Sequence, residues 1–118
     1  VTTRPGSDRL VLNAILNQRS NDVLAANNWN VVQYSVLVHM LAQVSGLKPG
    51  QLVHVIADAH IYDRHVEIIR EMISRPQYPA PKFSLNPEVK DFYDFTVDDI
   101  KVEDYQKNPQ IKNIPVAI

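Results

Sequence analysis

The sequence has 118 residues, of which 45% are hydrophobic and 21% are charged, and its formal net charge is −1. These values are typical of one compact globular domain, and the balance of twelve basic against thirteen acidic residues argues against DNA or anionic membranes as partners. The sequence contains no cysteine, which excludes a disulfide framework, a cysteine zinc site and a thiol nucleophile within these residues.

The first nine residues, VTTRPGSDR, are polar and rich in turn-forming residues. This composition predicts a flexible leader or an appended segment, so we assign the folded domain to residues 10–118. The leader has no apolar core of a secretion signal. No apolar run approaches the roughly 20 residues that a membrane-spanning helix needs, so we expect a cytoplasmic location.

Residues 10–19 predict a β-strand, because apolar side chains at both odd and even positions are typical of a strand covered on both faces. Asn13, Asn17 and Arg19 share one parity, so one face carries amides and a guanidinium. We expect that face to meet a ligand or a partner. Residues 20–30 are dense in Asn and Asp, which favour turns, and predict a loop.

Residues 31–45 predict a helix, with Asn28 or Asn30 as its N-cap and Gly46 in the left-handed position after its end. Apolar residues cover most of the circumference of this helix. Such a helix is expected to be central rather than superficial. His39 lies within it and is most simply a hydrogen-bonded core histidine.

Residues 48–50, Lys-Pro-Gly, predict a turn, and residues 51–62 predict a second strand that carries His54 in the sheet interior. Asp63 is the expected N-cap of a second helix that ends near Arg75, before a proline. The expected buried stripe of this helix consists of Val66, Ile69 and Ile73.

The last third of the chain predicts shorter elements. Three prolines form a rigid connector, residues 82–85 a short strand, Thr96 a turn of helix and Ile100 the start of another strand. The acidic residues of this region are most simply a solvated face. The whole pattern predicts an α+β fold in which a few strands lie under one buried helix.

The pair Arg19-Ser20 is the first candidate site, because a planar five-donor cation beside a hydroxyl at a strand end suits a phosphate monoester. The alternative is an arginine paired with a surface carboxylate. Asn30 could recognise a nucleobase edge through its adjacent donor and acceptor, or simply cap a helix. Trp29 could stack on a flat ligand, or be a partly buried aromatic residue.

The densest polar cluster is DAHIYDRH at 58–65. One interpretation is a metal site, and a second is structural, with His60 bonded in the core and Asp63 capping a helix. In the third, His60 and Tyr62 point from one face of a strand toward one sugar hydroxyl. These residues alone do not decide among the three.

Five separated segments resemble the thymidylate synthase family. They are QRSND at 18–22, NWN at 28–30, HMLAQVSGLKPG at 39–50, DAHIYDRH at 58–65 and PVAI at 115–118. Five matches in order are far more specific than any single motif. The resemblance implies the C-terminal portion of such an enzyme, with a mixed sheet packed on a long buried helix, incomplete relative to the family fold.

The resemblance also implies an activity, which is reductive methylation of dUMP to dTMP by methylenetetrahydrofolate in an obligate homodimer. The implied dUMP contacts are Arg19 and Ser20 at the phosphate, Asn21 and Asp22 in the same segment, Asn30 at the uracil, and His60, Ile61 and Tyr62 at the ribose. The implied folate contacts are Asp22 at the pterin, Trp29 beside the cofactor and Ala117 near the chain end. Arg19, Asp22 and Asn30 would also support catalysis, and no metal is implied.

The main departure from the family is the nucleophile, a cysteine in a Pro-Pro-Cys-His context that should precede Leu10 and is absent here. Without that thiolate, we expect the isolated chain to be inactive. Two hypotheses follow: the chain is a piece of a genuine synthase, or it is a nucleotide-binding or structural remnant without turnover. A hydroxymethylase and a metal-dependent hydrolase are less favoured. We also expect the chain to associate with itself.

Overall fold

The computed structural model describes residues 1–3, 6 and 8–116. Its central unit consists of strand β1 (Val11–Asp22), helix α1 (Asn27–Val44) and strand β2 (Lys48–His60). The two strands pair in parallel, and the register runs from Val11 opposite Lys48 to Asp22 opposite His60. Because parallel strands end at the same edge, residues 18–22 and 56–60 lie side by side.

Gly50 marks a close approach between the two strands. The register shifts between Leu12 and Ala14. A Cβ at Gly50 would collide with side-chain atoms of Asn13 and Val11 and would lie 2.7 Å from the Leu12 carbonyl oxygen. The predicted turn at 48–50 is wrong, since these residues open β2. Pro49 is tolerated there because a strand's first residues can lack an N–H donor.

Helix α1 begins earlier than the sequence predicts. Ala26 occupies the N-cap position without a side-chain bond, so Asn28 and Asn30 lie inside the helix and neither is its cap. The early start follows from Asp22, whose Oδ1 accepts hydrogen bonds from the backbone N–H groups of Leu24 and Ala25 and closes the connection in a few residues. The loop predicted at 20–30 is correspondingly short.

The end of α1 is as predicted, since Gly46 follows it with a φ of 68°. The burial of α1 differs from the prediction. Among its described residues only Val38 and Ala42 are buried, whereas Trp29 is 78% exposed. The helix packs on β1 and β2 from one side and meets the 82–103 region at His39 and Gln43, and much of its remaining apolar surface is exposed.

The far face of the β1–β2 pair is also open. Ile15 is 69% exposed, and Val53 and Val55 are about half exposed. The predicted coverage of β1 on both faces is therefore wrong for the described residues. In a two-stranded sheet, one layer of helix leaves the second face to solvent.

After β2 the chain forms a 3₁₀ turn, Asp63–His65, and then helix α2 (Val66–Ser74). Tyr62, not Asp63, occupies the cap position of that turn, and Asp63 makes no side-chain capping bond. The helix ends just before Arg75 and Pro76, as predicted. The buried stripe is not observed: no residue of α2 is buried, and Ile73 is exposed because no described element covers α2 on that side.

The remaining strands form a second sheet, in which β3 (Lys82–Leu85) and β4 (Ile100–Glu103) pair antiparallel. Both strands begin where the sequence predicts, and a 3₁₀ turn follows Thr96. This sheet meets α1 through His39, whose ring lies edge-on to Phe83 at 4.8 Å between centroids. The mixture of helices and sheets confirms the α+β prediction.

At the N-terminus, Thr2 pairs with Val11 in an isolated antiparallel bridge. The predicted leader, 1–9, lies partly outside the described residues. Within the part of the chain that the structure describes, no helix is long and apolar enough to cross a membrane.

Candidate functional site

The carboxyl ends of β1 and β2 bring together most of the polar residues that the sequence analysis selected. Parallel strands of α/β units commonly bind ligands at this edge. Here the edge is organised by Gln18, a residue to which the sequence analysis gave no role.

The amide of Gln18 is held in one orientation. Its Nε2 donates to the Ser20 carbonyl oxygen at 3.0 Å and to Asn30 Oδ1 at 3.0 Å. Since a backbone carbonyl only accepts, Oε1 of Gln18 must face the other way, where it accepts from Asn21 Nδ2 at 3.0 Å. Its second neighbour is His54 Nε2 at 2.7 Å.

Two consequences follow from this orientation. His54 must carry its proton on Nε2 to donate to an oxygen. Asn30 must turn Oδ1 inward, where it also accepts from Asn21 Nδ2 at 3.3 Å. Its Nδ2 makes no hydrogen bond to a described residue and is the atom left for a ligand. The alternative that Asn30 only caps a helix is wrong, because its side chain belongs to this network.

Arg19 and Ser20 lie next to the network, on opposite sides of β1 because successive strand residues alternate. Ser20 is half-buried, and its Oγ donates to Asp58 Oδ2 at 3.4 Å. Arg19 is exposed and forms no ion pair within the described residues. The alternative of an arginine paired with a surface carboxylate is therefore not observed there.

Asn21 is the most deeply buried polar side chain of this edge, with 1% of its surface exposed. Its Nδ2 donates to Gln18 and Asn30, whereas its Oδ1 accepts no hydrogen bond from a described residue. A buried acceptor left without a donor costs about 1–3 kcal/mol.

Asp22 ends β1 and lines a cavity of about 330 Å³. Its Oδ1 accepts from two backbone N–H groups, and its Oδ2 makes no hydrogen bond to a described residue. The other walls of the cavity are Ala25, Tyr62, His65, Ile114, Pro115 and Val116. A carboxylate at the wall of such a cavity can accept bonds from an amino-substituted ring.

His60 and Tyr62 are brought together at the end of β2. Their rings meet edge to face at 5.2 Å between centroids, although Tyr62 lies beyond the strand's last residue. His60 Nδ1 lies 3.5 Å from Asp58 Oδ2 and makes no hydrogen bond within the described part of the chain. Ile61, between them, is exposed. Both polar side chains are therefore available to one hydroxyl group.

Two predicted site residues lie elsewhere. Trp29 is on the first turn of α1, is not part of the wall of the Asp22 cavity and is too exposed to be the partly buried aromatic residue of the alternative. Ala117 lies outside the described residues. The described residues contain no group of three or more His, Asp or Glu side chains that could hold a metal ion.

The chain was compared with known proteins. A family model described as thymidylate synthase matches residues 3–118. A thymidylate synthase of Clostridium beijerinckii is 52% identical over 103 residues, which are 86% of this chain and 39% of that protein. A thymidylate synthase of Leuconostoc mesenteroides is 48% identical over 101 residues, which are 86% of this chain and 31% of that protein.

The structure is similar to that of the thermostable thymidylate synthase A from Bacillus subtilis. The TM-score is 0.81 at 42% identity, and the match covers 84% of this chain and 36% of that one. The chain thus spans about a third of the length of the relatives it matches. The resemblance and the fold predicted from the five sequence segments are confirmed.

Proposed function

This chain belongs to the thymidylate synthase family, and we propose that it supplies the dUMP contacts for reductive methylation of dUMP to dTMP by methylenetetrahydrofolate. The observation that carries the proposal is the fixed amide of Asn30. Its outward Nδ2 can donate to O4 of uracil, whereas the 4-amino group of cytosine would present a second donor.

The phosphate and ribose contacts follow from the same edge of the sheet. The exposed guanidinium of Arg19, which has no ion-pair partner among the described residues, can bind a phosphate in bidentate fashion at the end of β1. The Ser20 hydroxyl, on the opposite side of the strand, would contact the same phosphate from there. His60 and Tyr62 would hold the ribose hydroxyl, with Ile61 between them. Asn21 would continue the nucleotide-binding segment, and its Nδ2 orients Asn30 through their shared hydrogen bond.

The folate would lie against Asp22. The free Oδ2 suits the amino group and N–H of a pterin, and the cavity of about 330 Å³ has room for that ring system but not for a whole folate. Trp29 and Ala117 would complete the folate contacts. The bound co-substrate supplies the one-carbon unit and the hydride.

The nucleophile is not among the 118 residues, since none is cysteine. Turnover therefore requires a thiolate from outside these residues, and the chain by itself would bind dUMP without methylating it. The open sheet face of Ile15, Val53 and Val55 would be covered in a homodimer, and the enzyme would act in the cytoplasm.

A non-catalytic nucleotide-binding remnant is the second candidate, because the missing thiol is compatible with it. The two candidates differ in one outcome. Mixing this chain with the cysteine-containing segment of a relative should restore formation of dTMP if the chain is part of a synthase. No product, with dUMP binding intact, would favour the remnant.

Calorimetry with this chain tests the nucleotide site directly. We expect binding of dUMP in preference to dCMP, and at least a tenfold loss of dUMP affinity in Arg19→Gln, because a charge-assisted phosphate contact is lost. Arg70→Gln is the matched control, since Arg70 is an exposed arginine paired with Glu67 on α2. Equal binding of dUMP and dCMP would contradict the proposed role of Asn30.

A further inference from the structure

The C-terminal segment, 113–116, returns to the 3₁₀ turn that follows the ribose residues. Nη1 of Arg64 donates to the Val116 carbonyl oxygen at 3.0 Å. Nε2 of His65 lies 2.8 Å from the Pro115 carbonyl oxygen and must donate to it, because a carbonyl only accepts. His65 is 3% exposed, so its bond is shielded from water.

These two bonds hold a segment without regular structure, and two more tether the chain upstream of it: Arg75 Nη1 donates to the Pro109 carbonyl oxygen and Asn108 Nδ2 to the Pro76 carbonyl oxygen. Within the described residues, no backbone hydrogen bond joins positions 105–116 to a helix or a strand. Asn113 has a φ of 57°, a left-handed conformation that asparagine tolerates, and it redirects the chain just before the two accepting carbonyls. The placement of residues 113–116 therefore depends on side chains that are 50 and 52 residues away in sequence from the carbonyls they bind.

The attached segment forms one wall of the Asp22 cavity. Ile114, Pro115 and Val116 lie on one side, and Asp22, Ala25 and Tyr62 on the other. The ring of Tyr62 meets both His60 and His65 edge to face, at 5.2 and 5.7 Å. A continuous row of rings thus connects the ribose residues to the wall.

We propose that Arg64 and His65 are positioning residues that fix segment 113–116 as a wall of the folate subsite. The inference rests on the proposed function, in which that cavity receives the pterin. Because both bonds end on backbone carbonyls, they fix the position of the segment without depending on the identity of its side chains.

The first test measures the attachment in the ligand-free chain. Carboxypeptidase should trim the C-terminal residues about tenfold faster in Arg64→Met and in His65→Phe. Each variant removes one hydrogen bond to segment 113–116, so the segment opens more often and is cleaved faster. Arg64→Lys should restore part of the protection. Arg70→Met is the control, and it should match the original chain.

Arg64 is exposed, so its variants keep the test valid even if the buried His65→Phe fails to fold. An unchanged trimming rate in Arg64→Met, at an unchanged melting temperature, would overturn the proposal. This outcome is independent of dUMP binding, so it distinguishes failure of the attachment from failure of the proposed function.

The second test examines the subsite in the complemented enzyme. We expect Arg64→Met to raise the KM for methylenetetrahydrofolate about tenfold while the KM for dUMP stays constant, with partial rescue in Arg64→Lys. Faster trimming with an unchanged folate KM would show that the segment is held but is not a wall of the subsite, which would overturn the proposal.

Discussion

The two ends of the β1–β2 pair are built for different purposes. At the amino end the strands are in close contact, and Gly50 has no room for a Cβ. Asn13 donates a hydrogen bond to Thr2 Oγ1 and accepts one from the Gln51 N–H. At the carboxyl end, the guanidinium of Arg19 has no ionic partner and Asn21 Oδ1 has no donor within the described residues.

This contrast separates stability from recognition along the same two strands. Atoms that bond or contact one another, as at Asn13 and Gly50, hold the strands together, whereas unpaired polar atoms carry a cost that a ligand can offset. Substitutions at the amino end should therefore lower stability, and substitutions at the carboxyl end should act on binding as well.

The largest loss of stability is expected at the amino end, in Gly50→Ala. The new Cβ would meet the Leu12 carbonyl oxygen, which is backbone and cannot rotate away, so we expect a loss of about 2–3 kcal/mol. Gly46→Ala is the matched control: its surroundings are open, and only its positive φ should cost about 1 kcal/mol. Chemical denaturation measures both, and equal losses would show that the contact at Gly50 is not tight.

The next effect is expected at the carboxyl end, in Gln18→Leu. This change removes the partner of His54 and the bond that turns Asn30 Oδ1 inward, so we expect a loss of about 1–2 kcal/mol together with weaker dUMP binding. Gln33→Leu, on the exposed surface of α1, is the control. A variant that loses stability but keeps the preference for dUMP over dCMP would break the distinction between the two ends.

A smaller, pH-dependent effect on stability is expected away from both ends, at His39. This residue of α1 packs against Phe83 of β3. Burial lowers the pKa of His39 below its ordinary 6.5, so the unfolded chain binds a proton more readily than the folded one. The free energy of unfolding should therefore fall as the pH drops below about 6.5. His39→Gln should reduce that slope in denaturation curves recorded between pH 5 and 8, and an unchanged slope would contradict the assignment.

The smallest effect is expected at Asp99, in the exposed turn before β4. Hydrogen bonds from Asn86 and then from Thr96 hold the pKa of Asp99 below its ordinary 3.8. Its contribution is present above about pH 3.8 and is lost as the pH falls through the lowered value. Asp99→Asn should show less acid destabilisation than Asp98→Asn. The comparison needs melting curves at pH 3 and pH 7.

Much of the molecule can be predicted from local patterns. The two long strands, the helix end at Gly46 and the stop before Pro76 follow from apolar runs and from backbone rules that act within a few residues. The polar cluster around His60 can be predicted because its members are adjacent in sequence. The site at Arg19 and Ser20 can be predicted because the two residues end a predicted strand.

The errors arise where distant residues decide the outcome. Asn30 looks like a helix cap until Asp22 closes the preceding turn and Gln18 captures the amide. An apolar helix such as α1 predicts full burial, but burial requires covering elements, and those among the described residues leave Trp29, Val32 and Leu41 exposed. One feature of the sequence indicates a role for Gln18. It shares the parity of Ser20 at the end of β1, so both side chains lie on the same side of the strand.

The network around Gln18 has a consequence for how recognition could change. It requires only an acceptor atom at the inward position of residue 30, and aspartate provides one as well as asparagine does. Asn30→Asp would preserve both inward hydrogen bonds and convert the outward atom from a donor to an acceptor. The proposed preference for uracil over cytosine would thus be separate from the folding of the strands, and we expect Asn30→Asp to change that preference at little structural cost.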